Sequence, residues 1–201
     1  MNHKLQIELY MLEPEVTVLG PGKRYAVWVQ GCRRNCPGCI AGNSHRAEDG
    51  FLMSTYALAQ EILLSKTTGI TISGGEPFLQ AEPLTEMLEL VKQKRNLGVI
   101  IYTGYLFEEL KDVPFADKLL QYTDLLIDGP YVSELDDGLS LRGSSNQRVI
   151  PLTDRYLEDL PMYGSEERLV QEFNHGMEIH HVGIPNESYA NTKKNTMEDK
   201  S

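Results

Sequence analysis

Four short apolar runs of strand length alternate with helical patterns, and this order constrains the fold most strongly. The runs are Arg24–Gln30, Gly69–Ser73, Gly98–Tyr102 and Leu125–Asp128. One intervening helix is predicted after the N-cap candidate Ser54 and a second near Pro83, because both residue types favour a helix start. Strands that alternate with helices usually pair in parallel through right-handed crossovers. We therefore expect an α/β fold with mainly parallel strands, in a sheet that is either open or curled into part of a barrel.

A polar or glycine-rich loop directly follows each of these predicted strands. The loops begin near Cys32, Gly74, Thr103 and Asp128. Because the carboxyl ends of parallel strands meet at one edge of a sheet, ligands collect there. The sequence predicts that all four loops open on the same rim.

The first of these loops contains every cysteine of the chain. Cys32, Cys36 and Cys39 form a CxxxCxxC motif. A cubane iron–sulfur cluster is normally held by four cysteines, so three would leave one iron open to a small molecule. The motif therefore favours a reaction centre over an electron relay.

A structural zinc site is the alternative for the same thiols. His45 follows Cys39 by six positions and would complete a Cys3His ligand set. Structural zinc motifs usually come as two paired knuckles separated by a longer loop, whereas these thiols are crowded into one loop after an apolar run. The iron–sulfur interpretation is favoured, and the zinc alternative remains open.

Composition and charge exclude several classes of protein. The chain has 201 residues, 41% of them hydrophobic, and its apolar runs are too short to span a bilayer. The N-terminus lacks the apolar core of a signal peptide, so we expect reduced thiols and a cytoplasmic location. A net charge of −10 argues against a nucleic-acid partner. The basic residues Lys23, Arg24, Arg33 and Arg34 are interpreted as a local partner or cofactor contact, or as a solvated loop.

The C-terminal part differs in pattern from the rest. The segments Leu169–Phe173 and Met177–Val182 flank Asn174-His-Gly176, which predicts an antiparallel hairpin. The adjacent His180 and His181 would point to opposite faces of a strand, so we interpret them as unrelated positions rather than as a metal site. The polar segment 186–201 predicts a mobile tail. The predicted organisation is a core of residues 1–158, a hairpin extension of 159–185, and this tail.

Four motifs together carry a family resemblance over about residues 15–155. The segments Gln30–Cys39 and Ser73–Pro77 resemble those of the radical S-adenosylmethionine superfamily. Within it, Asp128–Tyr131 and Arg142–Gln147 resemble the activating components of anaerobic ribonucleotide reductases. The resemblance implies a partial barrel of the radical S-adenosylmethionine type, a [4Fe-4S] cluster held by the three cysteines, and S-adenosylmethionine as the second cofactor.

The resemblance also implies a reaction. The amino and carboxylate groups of S-adenosylmethionine would chelate the open iron, and one electron passed to the sulfonium would release a 5'-deoxyadenosyl radical. That radical would take a hydrogen atom from a glycine of a partner, here a class III anaerobic ribonucleoside-triphosphate reductase. The electron would come from a donor such as flavodoxin or ferredoxin. Alternatives are activation of a different glycyl-radical enzyme, peptide modification, and a non-catalytic zinc or iron–sulfur module.

The Gly-Gly-Glu motif is the first candidate for cofactor binding. The absence of side chains at Gly74 and Gly75 would let backbone carbonyls approach the methionyl ammonium group, and Glu76 would add a negative charge. Most superfamily members have an aromatic residue that packs on adenine directly before the third cysteine. This chain has Gly38 there, as does the reductase-activating subgroup.

The remaining candidates follow the third and fourth strands. Thr103 is expected to hydrogen-bond the ribose or the carboxylate of the cofactor, and Asp128 is carried over because related activating enzymes place an aspartate near the cofactor. The polar loop of residues 142–147 supplies three further candidates for cofactor or partner contacts, namely Arg142, Ser144 and Asn146.

Overall fold

The computed structural model describes residues 5–176 and 178–185. Nine strands and three α-helices are found in these ranges. In chain order they are β1 (Gln6–Val16), β2 (Arg24–Val29), β3 (Phe51–Ser54), α1 (Thr55–Leu64), β4 (Gly69–Gly74), α2 (Ala81–Lys92), β5 (Gly98–Tyr102), α3 (Ala116–Gln121), β6 (Leu125–Asp128), β7 (Arg148–Pro151), β8 (Gln171–His175) and β9 (Glu178–Val182).

A seven-stranded sheet of order β3-β1-β2-β4-β5-β6-β7 forms the centre of the molecule. Strands β2, β4, β5 and β6 are parallel, with Arg24 opposite Gly69 and Ile101 opposite Leu126. The outer strands β1, β3 and β7 pair antiparallel. The predicted α/β class with a largely parallel central sheet is confirmed, while curling into a partial barrel remains a prediction.

The two faces of the sheet are covered differently. Because side chains alternate along a strand, Tyr25, Val27 and Val29 of β2 join the main core with the three helices. Ala26 faces the opposite side and packs with Val16 of β1. The four predicted strands agree with the structure to within one residue at their C-terminal ends.

Helix α1 begins at Thr55, directly after the predicted N-cap residue Ser54. The Ser54 hydroxyl accepts a hydrogen bond from the Ala57 amide at 3.1 Å. The apolar pattern Tyr56, Leu58, Ile62 and Leu63 predicts one inward face, and Leu58 and Ile62 are buried, but Tyr56 is exposed. At about 100° per residue, Tyr56 lies roughly 200° around the helix from Leu58, which explains the difference.

Three strands were not predicted, and all of them pair antiparallel. Strand β1 contains three glutamates and a proline, while β7 ends in Pro151 at the edge of the sheet. Their strand character depends on the backbone partners offered by β2 and β6. Short-range pattern carries little information about such pairing.

Arg24 is a structural residue of the interior, although the sequence groups it with residues interpreted as a partner or cofactor contact or as a solvated loop. Its side chain is fully buried, and its guanidinium donates hydrogen bonds to the Ile70 and Gly98 carbonyl oxygens at 2.6 and 3.2 Å. It also donates to the Tyr156 hydroxyl at 2.9 Å. Arg24 therefore joins β2, β4, β5 and the segment after β7 in the interior.

The predicted C-terminal hairpin is confirmed by β8 and β9, which pair antiparallel with Asn174 opposite Ile179. It packs on the sheet through Phe173 and Val182, which contact the cluster around Val16. The division into residues 1–158, 159–185 and 186–201 remains a prediction, and the predicted tail lies outside the described residues. Within the described ranges, no helix has the length and apolar character needed to cross a membrane.

Candidate functional site

A cavity of about 430 Å³ opens at the carboxyl ends of the parallel strands. This volume lies in the range of about 300–1,000 Å³ that is typical of small-molecule sites. All four predicted loops reach its wall. They contribute the three cysteines, the segment 74–76, the pair Thr103 and Gly104, and Gly129. The expectation of a single rim is therefore confirmed.

The cysteine loop is closed on itself by backbone hydrogen bonds. The Gly31 and Cys32 amides donate to the Ser44 and His45 carbonyl oxygens at 2.8 and 3.0 Å. Within the loop, the Cys39 amide donates to the Cys36 carbonyl oxygen at 3.2 Å. These bonds hold the three thiols on one side of a compact loop after β2.

The spacing of the cysteine sulfur atoms can be compared with that around a single zinc ion. Thiolates around one tetrahedral zinc lie about 3.8 Å apart, given a zinc–sulfur bond of about 2.3 Å. In the described part of the chain, the one group of three or more potential ligand atoms lying within 4.8 Å of one another is elsewhere, at Glu13, His175 and His180. The three cysteine sulfurs are therefore not all within 4.8 Å of one another, and a single ion would require their side chains to rotate towards it. The Cys3His alternative with His45 stays open on this geometry.

Burial affects the protonation of the thiols. It raises the pKa of Cys32 and of Cys39, and backbone hydrogen bonds oppose this only partly. Since the thiolate is the form that binds metal, loading of iron must displace these protons.

Positions 74 and 75 require glycine because this segment packs tightly against the end of β2. Gly74 has a φ of +99°, and a Cβ on Gly75 would lie 2.2 Å from the Gly31 carbonyl oxygen. The Gly75 and Glu76 amides donate to the Val29 and Gly31 carbonyl oxygens at 2.7 and 2.8 Å. The Gly-Gly-Glu segment is thereby fixed to the base of the cysteine loop. The sequence explains these glycines by the close approach of a ligand to the backbone, and the packing against β2 is a second reason for them.

The buried Glu76 carboxylate organises the centre of the cavity wall. It accepts hydrogen bonds from the Phe78 amide at 3.0 Å, the Thr103 hydroxyl at 2.8 Å and the Gly104 amide at 2.8 Å. Burial raises the pKa of Glu76, and these three bonds lower it by less. A carboxylate offers about four acceptor positions, so one remains on the oxygen bound by Gly104.

The Thr103 hydroxyl forms its main hydrogen bond with the Glu76 carboxylate. Its hydroxyl proton goes to Glu76, and its oxygen accepts from the Tyr105 amide at 3.1 Å. A hydroxyl has a single proton to donate, so Thr103 has only acceptor capacity left for a ligand.

Arg34 places a positive charge in the same wall. Its guanidinium lies 4.4 Å from the ring centre of Tyr105 and donates to Glu109 at 2.7 Å. The Nε atom is buried and has no hydrogen-bond partner among the described residues. Arg34 belonged to the basic residues noted in the sequence, but nothing in the sequence singled it out. Because Arg34 lines the cavity together with the three cysteines, its positive charge suits the carboxylate of an amino-acid ligand.

Asp128 lies beneath the rim and does not line the cavity, although the next residue, Gly129, does. Its fully buried carboxylate accepts hydrogen bonds from the Phe107 amide at 2.7 Å and from Arg148 through two nitrogens. These contacts tie the loop after β5 to β6 and β7. The predicted cofactor contact of Asp128 remains a prediction.

The candidates in the loop of residues 142–147 also lie behind the wall. Arg142 pairs with Asp137 at 2.6 Å, and the Ser144 hydroxyl accepts from the Val132 amide at 3.1 Å. Asn146 donates to the Pro130 carbonyl oxygen at 2.8 Å. The residues of this loop that do line the cavity are Gly143 and Gln147.

Several other residues that line the cavity are not predicted by the sequence motifs. Tyr131 belongs to a recognised motif but was not selected, whereas Trp28 was assigned only to a strand. Gly38 lies in a shallow depression beside Cys36 and Cys39 and does not line the main cavity. The hairpin residues Ile179 and Ile184 also line the cavity. No local pattern shows where a hairpin docks, so no signal could have found these two.

Comparisons with known proteins agree with the site. A family model described as a 4Fe-4S single cluster domain matches residues 18–150. The anaerobic ribonucleoside-triphosphate reductase-activating protein of Enterobacteria phage T4 is 34% identical over 143 residues, which cover 68% of this chain and 89% of that protein. The proteins of the same name from Vibrio cholerae and Escherichia coli K12 are 34% and 33% identical over 147 residues, covering 68% of this chain and 92% and 93% of theirs.

Among solved structures, QueE from Escherichia coli matches 49% of this chain and 53% of its own, with a TM-score of 0.43 and 16% identity. This likeness is too weak to bear on fold or function. The sequence matches are of a different quality, because they extend over most of each relative, and the residues matched by the family model include the cysteine loop. This chain belongs to the iron–sulfur family of anaerobic ribonucleoside-triphosphate reductase-activating proteins, as its motifs predicted.

Proposed function

We propose that this protein is a radical S-adenosylmethionine activase that generates a glycyl radical on an anaerobic ribonucleoside-triphosphate reductase. The observation that carries the proposal is the convergence of the three CxxxCxxC thiols and Gly74–Glu76 on one cavity. The names of the relatives support the choice of partner. A flavodoxin or a ferredoxin is the proposed electron donor, and the expected cytoplasmic location remains a prediction.

The bound cofactors would supply the radical chemistry: one electron delivered through the cluster splits S-adenosylmethionine into methionine and a 5'-deoxyadenosyl radical, which takes a hydrogen atom from the glycine Cα. The residues of this chain would hold and orient the reactants. Cys32, Cys36 and Cys39 would bind three irons and leave the fourth accessible from the cavity.

Glu76 and Arg34 would together orient the amino-acid end of S-adenosylmethionine. The remaining acceptor position of Glu76 suits the ammonium group, and the guanidinium charge of Arg34 in the cavity wall suits the carboxylate. Both side chains are fixed, Glu76 by three hydrogen bonds and Arg34 by Glu109 and Tyr105. Such fixed groups bind with little further loss of side-chain freedom.

The activase role is tested by mixing the reduced, cluster-loaded protein with S-adenosylmethionine and the cognate reductase without oxygen. We expect a glycine-centred doublet in the electron paramagnetic resonance spectrum, together with 5'-deoxyadenosine and methionine in equal amounts. 5'-deoxyadenosine without any radical on the reductase would point to another radical enzyme of the superfamily. Absence of both products would refute the proposal in favour of a non-catalytic module.

Glu76→Gln should weaken S-adenosylmethionine binding while leaving the iron content unchanged. A hydrogen bond to a charged group contributes about 1.5–3 kcal/mol, so we expect the dissociation constant to rise by about tenfold or more. The change is nearly isosteric, so the amide oxygen still accepts from the Phe78 amide and the Thr103 hydroxyl, whereas the Gly104 amide loses its acceptor. Titration of the cluster-loaded protein measures the affinity. Glu48→Gln, at an exposed position, is the control and should bind normally. Equal affinity of the two variants would remove Glu76 from the binding site.

A further inference from the structure

The C-terminal hairpin is joined to β1 by a cluster of three side chains outside the cysteine loop. Glu13 of β1 is buried, with 2% of its surface exposed, although it is a glutamate. Its Oε2 atom faces His175 of β8 and His180 of β9. Burial of a carboxylate is costly unless a cation or hydrogen-bond donors compensate its charge.

The distances in this cluster match the ligand separations around a metal ion. Glu13 Oε2 lies 2.8 Å from His175 Nε2 and 3.4 Å from His180 Nδ1, and all three ligand atoms lie within 4.8 Å of one another. With bonds of about 2.0–2.2 Å, two ligands of one tetrahedral zinc ion are separated by roughly 3.3–3.6 Å. An ion therefore fits among these atoms with only small side-chain shifts.

The arrangement can hold an ion in place of the hydrogen bonds that the 2.8 and 3.4 Å distances indicate. Both imidazoles approach the same carboxylate oxygen, and their ring centres are 4.5 Å apart. Two protonated rings at this separation would repel each other, whereas two neutral rings can share one cation. Two histidines and one carboxylate are a common ligand set for zinc, with further positions taken by water.

We propose that Glu13, His175 and His180 form a binding site for a divalent transition-metal ion, best suited to zinc, that fastens the hairpin to β1. This proposal departs from the sequence interpretation for His180, which would be a metal ligand, whereas His181 stays outside the group. The partner of His180 is His175 on the neighbouring strand, and strand pairing brings the two together.

Fastening the hairpin would fix one wall of the cavity. His180 itself lines the cavity, as do Ile179 and Ile184. Apart from the cluster, the hairpin is held by the packing of Phe173 and Val182 and by Gln171, which accepts a hydrogen bond from the Thr17 amide at 2.9 Å. A bound ion would add a cross-link between β1 and both hairpin strands.

The test uses the cluster-loaded protein, in which iron already occupies the thiols. Zinc chloride is titrated after removal of loosely bound metal, and zinc and iron per chain are measured by mass spectrometry. We expect one zinc per chain, with an affinity that falls by at least tenfold in His175→Ala. His175 is 47% exposed on its side chain, so its replacement should not prevent folding.

His181→Ala is the matched control because His181 lies on the same strand and pairs with Glu172 at 3.5 Å, away from the cluster. It should keep wild-type zinc binding. Hydrogen exchange of the β8 and β9 amides should slow with zinc in the wild type and in His181→Ala, but not in His175→Ala. Absence of stoichiometric zinc, or equal affinity in the two variants, would overturn the site. Neither readout needs radical formation, so this result is independent of the proposed activase function.

Discussion

Cys36→Ser should leave the protein folded but unable to hold its cluster or to form 5'-deoxyadenosine. Cys36 lies in a loop that backbone hydrogen bonds close, so the fold does not depend on its thiol. With only two thiolates, a cubane would lose a corner ligand. We expect product formation to fall by more than about 1,000-fold, which corresponds to roughly 4 kcal/mol of lost transition-state stabilisation. Iron analysis and product chromatography under anaerobic conditions measure both effects.

The exposed Arg33 in the same loop provides the control for this change. Arg33→Ala should retain the iron content of the wild type, because its side chain is not a metal ligand. If Cys36→Ser kept its iron and its activity, the three-cysteine cluster would be excluded. If it bound one zinc instead, the result would favour the structural zinc alternative.

Gly75→Ala should be the most destabilising single methyl addition near the site. The added Cβ would lie 2.2 Å from the Gly31 carbonyl oxygen, and backbone cannot move aside as a flexible side chain can. Overpacking of this kind costs about 1–3 kcal/mol, and we expect the upper end of that range. Displacement of Gly31 should also weaken cluster retention, since Gly31 precedes Cys32. Urea unfolding of the cluster-free protein measures the stability.

Gly42→Ala is the matched control for this prediction. A Cβ at Gly42 meets no atom within 4 Å, and the residue lies in a 3-10 helix of residues 42–44. Its free energy of unfolding should stay within about 0.5 kcal/mol of the wild-type value, as for most surface substitutions. Equal free energies of unfolding for the two variants would show that the contact between the Gly-Gly segment and β2 is not tight.

The sequence predicted those parts of the fold that local pattern encodes. The buried strands β2, β4, β5 and β6 are continuous apolar runs, and their boundaries were nearly correct. Strand β1 carries three glutamates in Gln6–Val16 and was missed, because its pairing with β2 and β3 depends on residues distant in sequence. The same limit applies to β7, whose partner is β6.

The candidate site shows the same division. The cysteines and Gly74–Glu76 were found because their chemistry requires particular residue types at fixed spacing. Asp128 and Ser144 belong to recognised motifs, yet their side chains support the wall from behind. The role of Arg34 became apparent only from its buried Nε and its contact with Tyr105. Short motifs identify which segments form the rim but not which side chains face the cavity.

By itself, the sequence determined the iron-binding motif, the parallel order of the central strands and the meeting of their loops at one edge. These features follow from residue type, short-range periodicity and the geometry of parallel sheets. Only the tertiary structure decided that Glu76 organises the cavity wall, that Arg24 is buried, and that the hairpin brings His175 and His180 to Glu13. Each of these depends on contacts between segments far apart in the chain, and such contacts leave no periodic signal in the sequence.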